Sequence, residues 1–327
     1  MSQSKYLKGA NLDESYMSPE VKKDPSESVP FFPEFRDLQL TDRPLFLNHF
    51  TQIQPQISEL AFASLLGYKI SDKPKLSRLD TTLLVKLTDE PNNEEVLLPP
   101  IGSSNVTQIA DAMDQAKADA YSIYGLTKSQ AESLTTRGFA VIEDRINWDY
   151  VYLVSDLAEL KGTKYYSKRK DIKQCLAAHK CEYQPITQDS VDRCLRLEEE
   201  WCNLMDCGDS PSLQQENWAI RETFLHYQEL GLFGAIVLVD RRLEAFTVAE
   251  RLSDNTAVVH FEKANPKMRG LYQVINQWFC QKALADYEFV NREQDLGEPG
   301  LRRAKLSYRP HHMVEKYIAR RTAIKGN

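Results

Sequence analysis

Ala235-Ile-Val-Leu-Val239, Glu244-Ala-Phe-Thr-Val-Ala249 and Ala257-Val-Val-His-Phe261 are the three apolar runs that decide the fold of this chain. The stretches that separate them, Asp240-Arg-Arg242 and Ser253-Asp-Asn255, are short and polar, as tight turns are. Each run has the length and the β-branched or aromatic residues of a strand. Together the runs predict an antiparallel meander.

A helix and a further strand follow the meander. The helix is predicted to begin at Gly270, because the apolar residues after it recur at helical spacing: Leu271, Val274, Ile275, Trp278 and Phe279. The next strand is Tyr287-Glu-Phe-Val290, and a short helix and a last strand come after it. This order is that of an acyltransferase-like α/β fold, in which one strand splays from its neighbour and a helix N-terminus points into the gap.

The rest of the chain also alternates helical and strand patterns. Helices are predicted over 58–66, 106–118, 128–136, 168–180, 191–205 and 215–230, and strands over 81–87, 95–98 and 139–143. We interpret the chain as α/β (α+β) in three parts: a flexible N-terminal tail over 1–30, a first mixed domain over 31–150 and a second over 151–327.

Composition excludes several classes of protein. The chain has 327 residues, and 41 Lys and Arg against 47 Asp and Glu give a net charge of −6. This mild acidity argues against wholesale coating of nucleic acid but leaves room for a local basic patch. The longest apolar stretches are far shorter than the ~18 residues of a membrane span, and residues 1–16 lack the apolar core of a signal peptide. We therefore expect a cytoplasmic protein without a membrane span.

Motifs of several common enzyme classes are missing from the sequence. It contains no HExxH, GxSxG, P-loop or GxGxxG motif, so zinc proteolysis, serine hydrolysis and ordinary NTP hydrolysis find no support. The six cysteines all lie after residue 174, and none forms a CxxC. We interpret them as small buried hydrophobic residues rather than as metal ligands or disulfide partners, and we expect no metal site.

The predicted start of the helix at Gly270 is a candidate anion site. The stretch Lys267-Met-Arg-Gly-Leu-Tyr272 would present free backbone N–H groups and the positive end of a helix dipole, with Arg269 beside them. A pyrophosphate or the 3′ end of a nucleic acid fits such a site. The alternative is an ordinary turn in which glycine relieves backbone strain.

The polar segment 291–310 is a second candidate. It follows a strand and packs charged residues, two glycines and two prolines into twenty positions, and buried charges need partners. One interpretation is a substrate pocket, which would be lined by Asn291, Arg292, Glu293, Asp295, Arg302 and Lys305. The other is a network of Arg, Glu and Asp side chains that satisfies itself and holds a loop.

A basic run over 161–173 carries six positive charges against one negative, with Tyr165 and Tyr166 among them. This pattern suits phosphate contact combined with ring stacking. The alternative is a solvated helix face.

Residues from about 147 to 318 resemble the C-terminal catalytic domains of phosphatidylglycerol lysyltransferases. The resemblance is carried by Asp149-Tyr-Val-Tyr-Leu153, by 162–169, by Arg269-Gly-Leu-Tyr-Gln273 and above all by 291–308. It implies two tandem GNAT-like domains (the acyl-CoA N-acyltransferase type), each a mixed, mostly antiparallel sheet flanked by helices. It also implies kinship with Fem-type aminoacyltransferases, and members of the family transfer lysine or alanine from aminoacyl-tRNA to a lipid head group.

Acyl transfer of the kind that the resemblance implies needs a base for the incoming nucleophile and an acid for the leaving group. Glu262, at the end of the third meander strand, is the predicted base, and the alternative is that it is a salt-bridge partner of Lys263 or Arg251. Tyr308, with Tyr272 as second choice, is the predicted acid. Backbone groups of Gly270, Leu271 and Tyr272 with Arg269 would hold the phosphate of the donor, and tRNA would be held by Lys164, Lys168 and Arg169.

Three functions stay open on the sequence. The first is aminoacyl transfer from aminoacyl-tRNA to an amine or hydroxyl of a small molecule, peptide or lipid head group. The second is N-acylation with acyl-CoA as donor. The third is a non-catalytic module that binds tRNA or a metabolite.

Overall fold

The structure is a computed structural model, and it describes residues 28–89, 93–118 and 121–321. The expected tail over 1–30 therefore lies almost wholly outside the described residues. Its last residues, from Ser28, lie against the first sheet, where the carbonyl group of Pro30 accepts a hydrogen bond from the backbone N–H of Arg78 (2.9 Å).

Helices and strands alternate along the described chain. The helices are α1 Arg43–Ile53, α2 Phe62–Gly67, α3 Lys69–Asp72, α4 Val106–Gln115, α5 Lys128–Thr135, α6 Val154–Glu159, α7 Tyr166–Ala178, α8 Gln188–Leu204, α9 Pro211–Leu225, α10 Leu271–Lys282 and α11 Pro299–Leu306. The strands are β1 Arg36–Asp37, β2 Lys75–Leu79, β3 Thr82–Asp89, β4 Glu94–Leu97, β5 Ser122–Leu126, β6 Phe139–Glu143, β7 Asp149–Leu153, β8 Cys181–Pro185, β9 Phe233–Val239, β10 Arg242–Arg251, β11 Thr256–Ala264, β12 Phe289–Asn291, β13 His312–Val314 and β14 Tyr317–Arg321.

These strands form two seven-stranded sheets within the described residues. The first has the order β1-β2-β3-β4-β5-β14-β6 and the second the order β13-β7-β12-β11-β10-β9-β8. In each sheet one neighbouring pair is parallel, β4–β5 in the first and β11–β12 in the second, and a helix connects the two strands of that pair. The expected architecture of two mixed, mostly antiparallel, GNAT-like sheets flanked by helices is confirmed.

One strand joins the sheet of the other half of the chain. Strand β14, from the C-terminal end of the described chain, lies between β5 and β6 of the first sheet, whereas the second sheet consists of the consecutive strands β7 to β13. The sequence predicts two consecutive domains divided at residue 150, and Tyr317–Arg321 belongs to the sheet of the first. Hydrogen bonding within a sheet depends on neighbours in space, and no local pattern marks which sheet a strand joins.

The second sheet is buried on both faces. On one face, Phe246 and Phe261 belong to a core shared with α2, α8 and α9, where Phe224 packs edge-on against Phe246 (5.5 Å between ring centroids). On the other face, Val259 packs with the apolar residues of α6, α7 and α10. Nearly all residues of β10 are accordingly buried, and buried residues do not alternate with exposed ones along the strand.

The segment 58–66 differs from the single predicted helix. It is a 3₁₀ turn over Ser58–Leu60 followed by α2, because Ala61 between them is extended (φ −58°, ψ 128°). The break exposes the backbone N–H of Ala63, which donates to the Glu250 carboxylate of the second half (3.0 Å). A carboxylate from a distant strand thus caps a helix start, which helical spacing cannot show.

The interpretation of the cysteines as hydrophobic residues is wrong for one pair. Cys202 and Cys207 form a disulfide between the end of α8 and the turn that follows it. Cys175, Cys194 and Cys280 are buried, as predicted.

Candidate active site

A bulge in β11 directs the side chains that build the site. Pairing with β10 passes from Phe261–Val248 to Val259–Ala249, so His260 is an extra residue. An extra residue reverses the alternation of faces beyond it. His260 therefore faces Glu250 and Glu293, and Glu262 faces α10.

Strand β12 ends before β11 reaches Glu262. Their parallel pairing covers Thr256–Val258 against Phe289–Asn291, which is all of β12, while β11 continues to Ala264. The splayed strand pair that the order of elements predicts stays a prediction.

Glu262 is bound from two sides. Arg292 Nη2 donates to its Oε1 (2.9 Å), and Asn276 Nδ2 of α10 donates to its Oε2 (3.3 Å). The neighbouring Lys263 points to the opposite face and pairs with Glu216 (2.7 Å). The Glu262–Arg292 pair is largely buried, with side-chain exposures of 11% and 14%.

Two buried atoms around Glu262 have no hydrogen-bond partner within the described residues. They are Arg292 Nη1, a donor, and Asn276 Oδ1, an acceptor. Leaving such a group unpaired costs about 1–3 kcal/mol. Arg292 therefore offers a hydrogen-bond donor to a polar ligand, and Asn276 offers an acceptor. The two groups lie on either side of the Glu262 carboxylate.

Aromatic rings and two lysines enclose Arg292. Its guanidinium lies 5.1 Å from the ring centroid of Tyr308 and 5.8 Å from that of Tyr152. Lys168 Nζ lies 4.1 Å from the Tyr308 centroid, and Lys305 Nζ donates to the carbonyl group of Arg292. Arg292, Lys168 and Lys305 thus form a group of three cations, of which Arg292 contacts Glu262.

Burial shifts the ionisation of this cluster. Burial and the charge of Arg292 lower the pKa of Lys305 to about 8 and lower the pKa of Lys168 as well. Burial raises the pKa of Tyr308 well above its ordinary value, so its hydroxyl stays protonated at neutral pH. Titratable groups shifted by burial and by a named charge are typical of functional sites.

The polar segment 291–310 contains a network of paired side chains, and its role as the lining of a substrate pocket stays a prediction. Asp295 is fully buried and accepts both hydrogen bonds of a bidentate pair from Arg302 (2.8 Å each) and one from Tyr150 (2.6 Å). Burial would raise the pKa of Asp295, but these hydrogen bonds outweigh it and hold the pKa well below its usual range. Asp295 and Arg302 therefore close the loop, while Arg292 and Lys305 lie beside Glu262.

Asn291 and Glu293 bind polar side chains other than Glu262. Asn291 Nδ2 donates to Asp149 (2.9 Å). Glu293 binds His260 Nδ1 (2.8 Å), and Glu250 binds His260 Nε2 (3.0 Å). Burial lowers the pKa of His260, and the two glutamates outweigh it and raise that pKa to about 10.

The start of α10 is packed against α7. Gly270 has φ +89°, and a Cβ there would collide with the carbonyl group of Asp171. Arg269 is bound to the Asp171 carboxylate (2.9 Å), and Leu271 is buried. Tyr272 accepts a hydrogen bond from Trp201 (2.9 Å), and burial raises its pKa to about 12. The role of these four residues in holding a donor stays a prediction.

The three residues predicted to bind tRNA are separated. Lys164 pairs with Asp156 (2.9 Å), and Arg169 donates to the carbonyl groups of Leu160 and Gly162. Of the three, only Lys168 reaches the Glu262 cluster.

Sequence reasoning missed Asn276, Tyr152 and His260 as members of polar clusters. Asn276 did leave a signal, because it is a polar residue within the buried arc of an otherwise apolar helix face. His260 left none, since its direction depends on the bulge.

Two surface concavities on α8, of about 330 and 400 Å³, are lined by none of the Glu262 cluster. In the described part of the chain, no group of His, Cys, Asp and Glu side chains converges as a metal site requires. Among the described helices, none combines the length and the apolar character that crossing a bilayer demands.

Comparison with known proteins identifies relatives of the chain. The family model described as "Phosphatidylglycerol lysyltransferase, C-terminal" matches residues 50–320. A conserved protein of unknown function from Bacteroides thetaiotaomicron is 31% identical, with a TM-score of 0.81 over 87% of this chain and 98% of that one. No curated protein matches the chain.

Two further solved structures share the fold at low identity. The C-terminal domain of a putative lysylphosphatidylglycerol synthetase from Agrobacterium fabrum is 12% identical with a TM-score of 0.63, and L-PGS from Bacillus licheniformis is 13% identical with a TM-score of 0.57. Each comparison covers 86% of this chain and 92% of the other. The family match supports a transferase function. The chain belongs to the family of phosphatidylglycerol lysyltransferase C-terminal domains.

Proposed function

We propose that this protein transfers an aminoacyl group from aminoacyl-tRNA to an amine or hydroxyl acceptor. The observation that carries the proposal is the buried Glu262, held between Arg292 and Asn276, each of which has one further buried polar atom without a partner. A carboxylate with a donor and an acceptor beside it is suited to position an ester and to accept a proton.

The packing of α10 favours an aminoacyl ester over acyl-CoA as donor. A CoA pyrophosphate would need open N–H groups at the start of this helix. There Gly270 lies against the backbone of Asp171, and Asp171 also neutralises Arg269. The family description, with its lysyl transfer, supports the same donor.

The proposed step is direct acyl transfer. The acceptor N–H or O–H attacks the ester carbonyl carbon of the donor, and Glu262 takes the proton of the attacking group. The tetrahedral intermediate then collapses as the bond between the carbonyl carbon and the ribose oxygen breaks. Tyr308 gives its proton to that leaving oxygen, and the proton on Glu262 restores Tyr308 through solvent. No covalent enzyme intermediate is required.

Three cations support the charge that develops. The carbonyl oxygen becomes negative in the intermediate, and Arg292, Lys168 and Lys305 surround the place where it forms. Donors fixed before the reaction stabilise such an oxyanion more than mobile water does.

The test is a transfer assay with a pool of labelled aminoacyl-tRNAs. Acceptors are offered separately: phosphatidylglycerol vesicles, a small peptide with a free amine, and a small alcohol. We expect label to move from tRNA to one of these acceptors. Glu262→Gln and Tyr308→Phe should each lower the rate by about 10²–10⁴-fold, the usual contribution of a positioned acid or base.

Matched variants control for the loss of a carboxylate or a hydroxyl elsewhere. Glu199→Gln removes an exposed carboxylate of α8, and Tyr166→Phe removes an exposed hydroxyl, so both should keep the wild-type rate. Transfer from acetyl-CoA but not from aminoacyl-tRNA would replace the proposal by acyl-CoA chemistry. Binding of tRNA without any transfer, unchanged in both site variants, would indicate a non-catalytic module.

A further inference from the structure

A basin lined by arginines lies beside α8, which covers the face of the second sheet opposite to α10. Its charged lining consists of Arg193 and Arg196 from α8, Arg241 and Arg242 from the β9–β10 turn, and Glu200. Buried Leu197 and Leu243 form the floor, and the cavity holds about 330 Å³. Four guanidinium groups thus face one carboxylate in a chain whose net charge is −6.

Three of the four arginines have no acidic partner. Arg242 pairs with Glu200 and with Glu244 (3.2 Å). Within the described ranges, Arg193, Arg196 and Arg241 form no ion pair and no side-chain hydrogen bond. The basic run over 161–173 differs, because Lys164 and Arg169 are occupied by groups of the protein itself.

The backbone of Arg241 adds a second observation. Asp240 and Arg241 form a two-residue turn with φ +49° and +73°. Turns of this type favour Asn-Gly or Asp-Gly, and a long side chain at the second position is unusual. An arginine at a position that suits glycine implies a use for its side chain.

Converging guanidinium groups repel one another unless an anion joins them. The planar fork of arginine matches the oxygens of a phosphate and binds them bidentately. The basin is open to solvent, and Arg196, Arg241 and Arg242 are exposed, so the phosphates of a chain can reach them.

The basin adjoins the end of the second sheet at which β10 begins and β11, with Glu262, ends. Arg242 precedes Thr247 on β10 by five residues, about 17 Å at ~3.4 Å per residue, and Thr247 pairs with Glu262 across the ladder. Trp201, next to Glu200 in sequence, donates to Tyr272 at the start of α10. A polyanion held in the basin can therefore reach the Glu262 cluster around this end of the sheet.

Resting on the proposed function, we infer that the arginine basin binds backbone phosphates of the tRNA donor and holds its body while the aminoacyl end reaches Glu262. The basin, and not the 161–173 run, would then supply most of the salt-dependent affinity for tRNA.

The test measures retention of bulk uncharged tRNA by the full chain at about 50 and about 200 mM salt. The variants are Arg193→Ala/Arg196→Ala on α8 and Arg241→Gly in the turn. We expect the double variant to weaken binding about tenfold at the lower salt and to reduce the slope of log affinity against log salt by nearly two, about 0.9 for each lost phosphate contact. Arg241→Gly should weaken binding while the melting temperature stays the same or rises, because glycine suits its backbone.

Lys117→Ala/Lys128→Ala is the matched control, since it removes two exposed positive charges from the first half of the chain. It should leave affinity and slope at the wild-type values. If this control and the basin variant lose the same affinity for tRNA, net charge alone explains the loss, and the inference is overturned. Unchanged tRNA binding in the basin variants would also overturn the inference. A shift of the melting temperature by pyrophosphate that occurs in the wild type and not in the variants would not alter that conclusion.

The same measurements distinguish failure of the proposed function from failure of the basin assignment. If the wild type retains no tRNA at either salt concentration, both the donor and the basin assignment are lost. If the wild type binds tRNA and transfers its aminoacyl group, and the basin variants do the same, only the basin assignment is lost.

Discussion

The ion pair of Glu262 and Arg292 combines a functional and a structural role at the scale of single residues. Both side chains are largely buried, and Arg292 also lies over the rings of Tyr308 and Tyr152. A buried charge that loses its partner is costly, so each residue holds the other in place.

A double-mutant cycle tests this dependence. Arg292→Met should lower the free energy of unfolding by about 3–5 kcal/mol, because Glu262 would remain as a buried charge without its cation. Adding Glu262→Gln should restore part of that loss, and urea denaturation of all four proteins measures the coupling. Simple addition of the two single effects would show that the pair does not act as a unit.

His260 adds a pH dependence to the same region. The two glutamates raise its pKa from 6.5 to about 10, so over this range the folded protein keeps a proton that the unfolded chain has lost. The stabilisation is complete below pH 6.5 and disappears as the pH rises through about 10. Lys305 has the opposite effect on the pH dependence of stability. Its pKa is lowered to about 8 in the folded protein, so its contribution to stability rises with pH.

Comparison with His260→Gln separates the two effects. We expect the melting temperature of the wild type, relative to that of His260→Gln, to fall between pH 6.5 and 10. If the melting temperatures of the two proteins change with pH in parallel, His260 does not keep its proton in the folded protein over this range.

At the scale of elements, the contact of α7 with the start of α10 depends on one glycine. Gly270 combines φ +89° with close approach to the carbonyl group of Asp171. Gly162 has a similar φ of +84°, but nothing lies within 4 Å of its hypothetical Cβ. The two positions therefore separate backbone strain from packing.

Gly162→Ala should cost about 1–2 kcal/mol, the penalty for a left-handed residue with a Cβ. Gly270→Ala should cost clearly more, since α7 must also move, and thermal or urea unfolding of both variants gives the comparison. If both variants lose the same free energy of unfolding, the positive φ accounts for the whole loss and the close contact with α7 for none of it.

At the scale of the whole molecule, a buried lysine fixes the point where β14 passes from the second sheet to the first. Lys316, just before β14, is fully buried and pairs with Asp149 at the start of β7 (2.7 Å) and with Glu59 (2.6 Å). Its carbonyl group also accepts from the backbone N–H of Asp144 (2.9 Å). One lysine thus connects the starts of β14 and β7, which belong to different sheets.

Lys316→Met should destabilise the protein by about 3–5 kcal/mol, because it leaves two carboxylates without their cation. Lys128→Met, at an exposed position of the first half, should change stability by less than about 0.5 kcal/mol. Circular dichroism during denaturation measures both, and a small effect of Lys316→Met would contradict the role of this junction.

The meander, the helix after Gly270 and the density of polar groups after residue 291 were readable from the sequence. Period-two and helical spacing report which faces are apolar, and these local patterns suffice for the order of elements and, with the quoted motifs, for the family. The choice of Glu262 and Arg292 as candidate site residues came from the same reasoning, and their proximity is visible only in the structure.

Tertiary structure alone decided the rest. The bulge at His260 sets which way Glu262 points, and the insertion of β14 between β5 and β6 depends on which strands meet in space. The disulfide of Cys202 and Cys207 and the division of segment 291–310 between loop closure and the Glu262 cluster are of the same kind. The physical reason is that spacing along a chain encodes the direction of a side chain within one element, whereas these features arise from contacts between residues that the sequence keeps up to about 260 positions apart, as with Glu59 and Lys316.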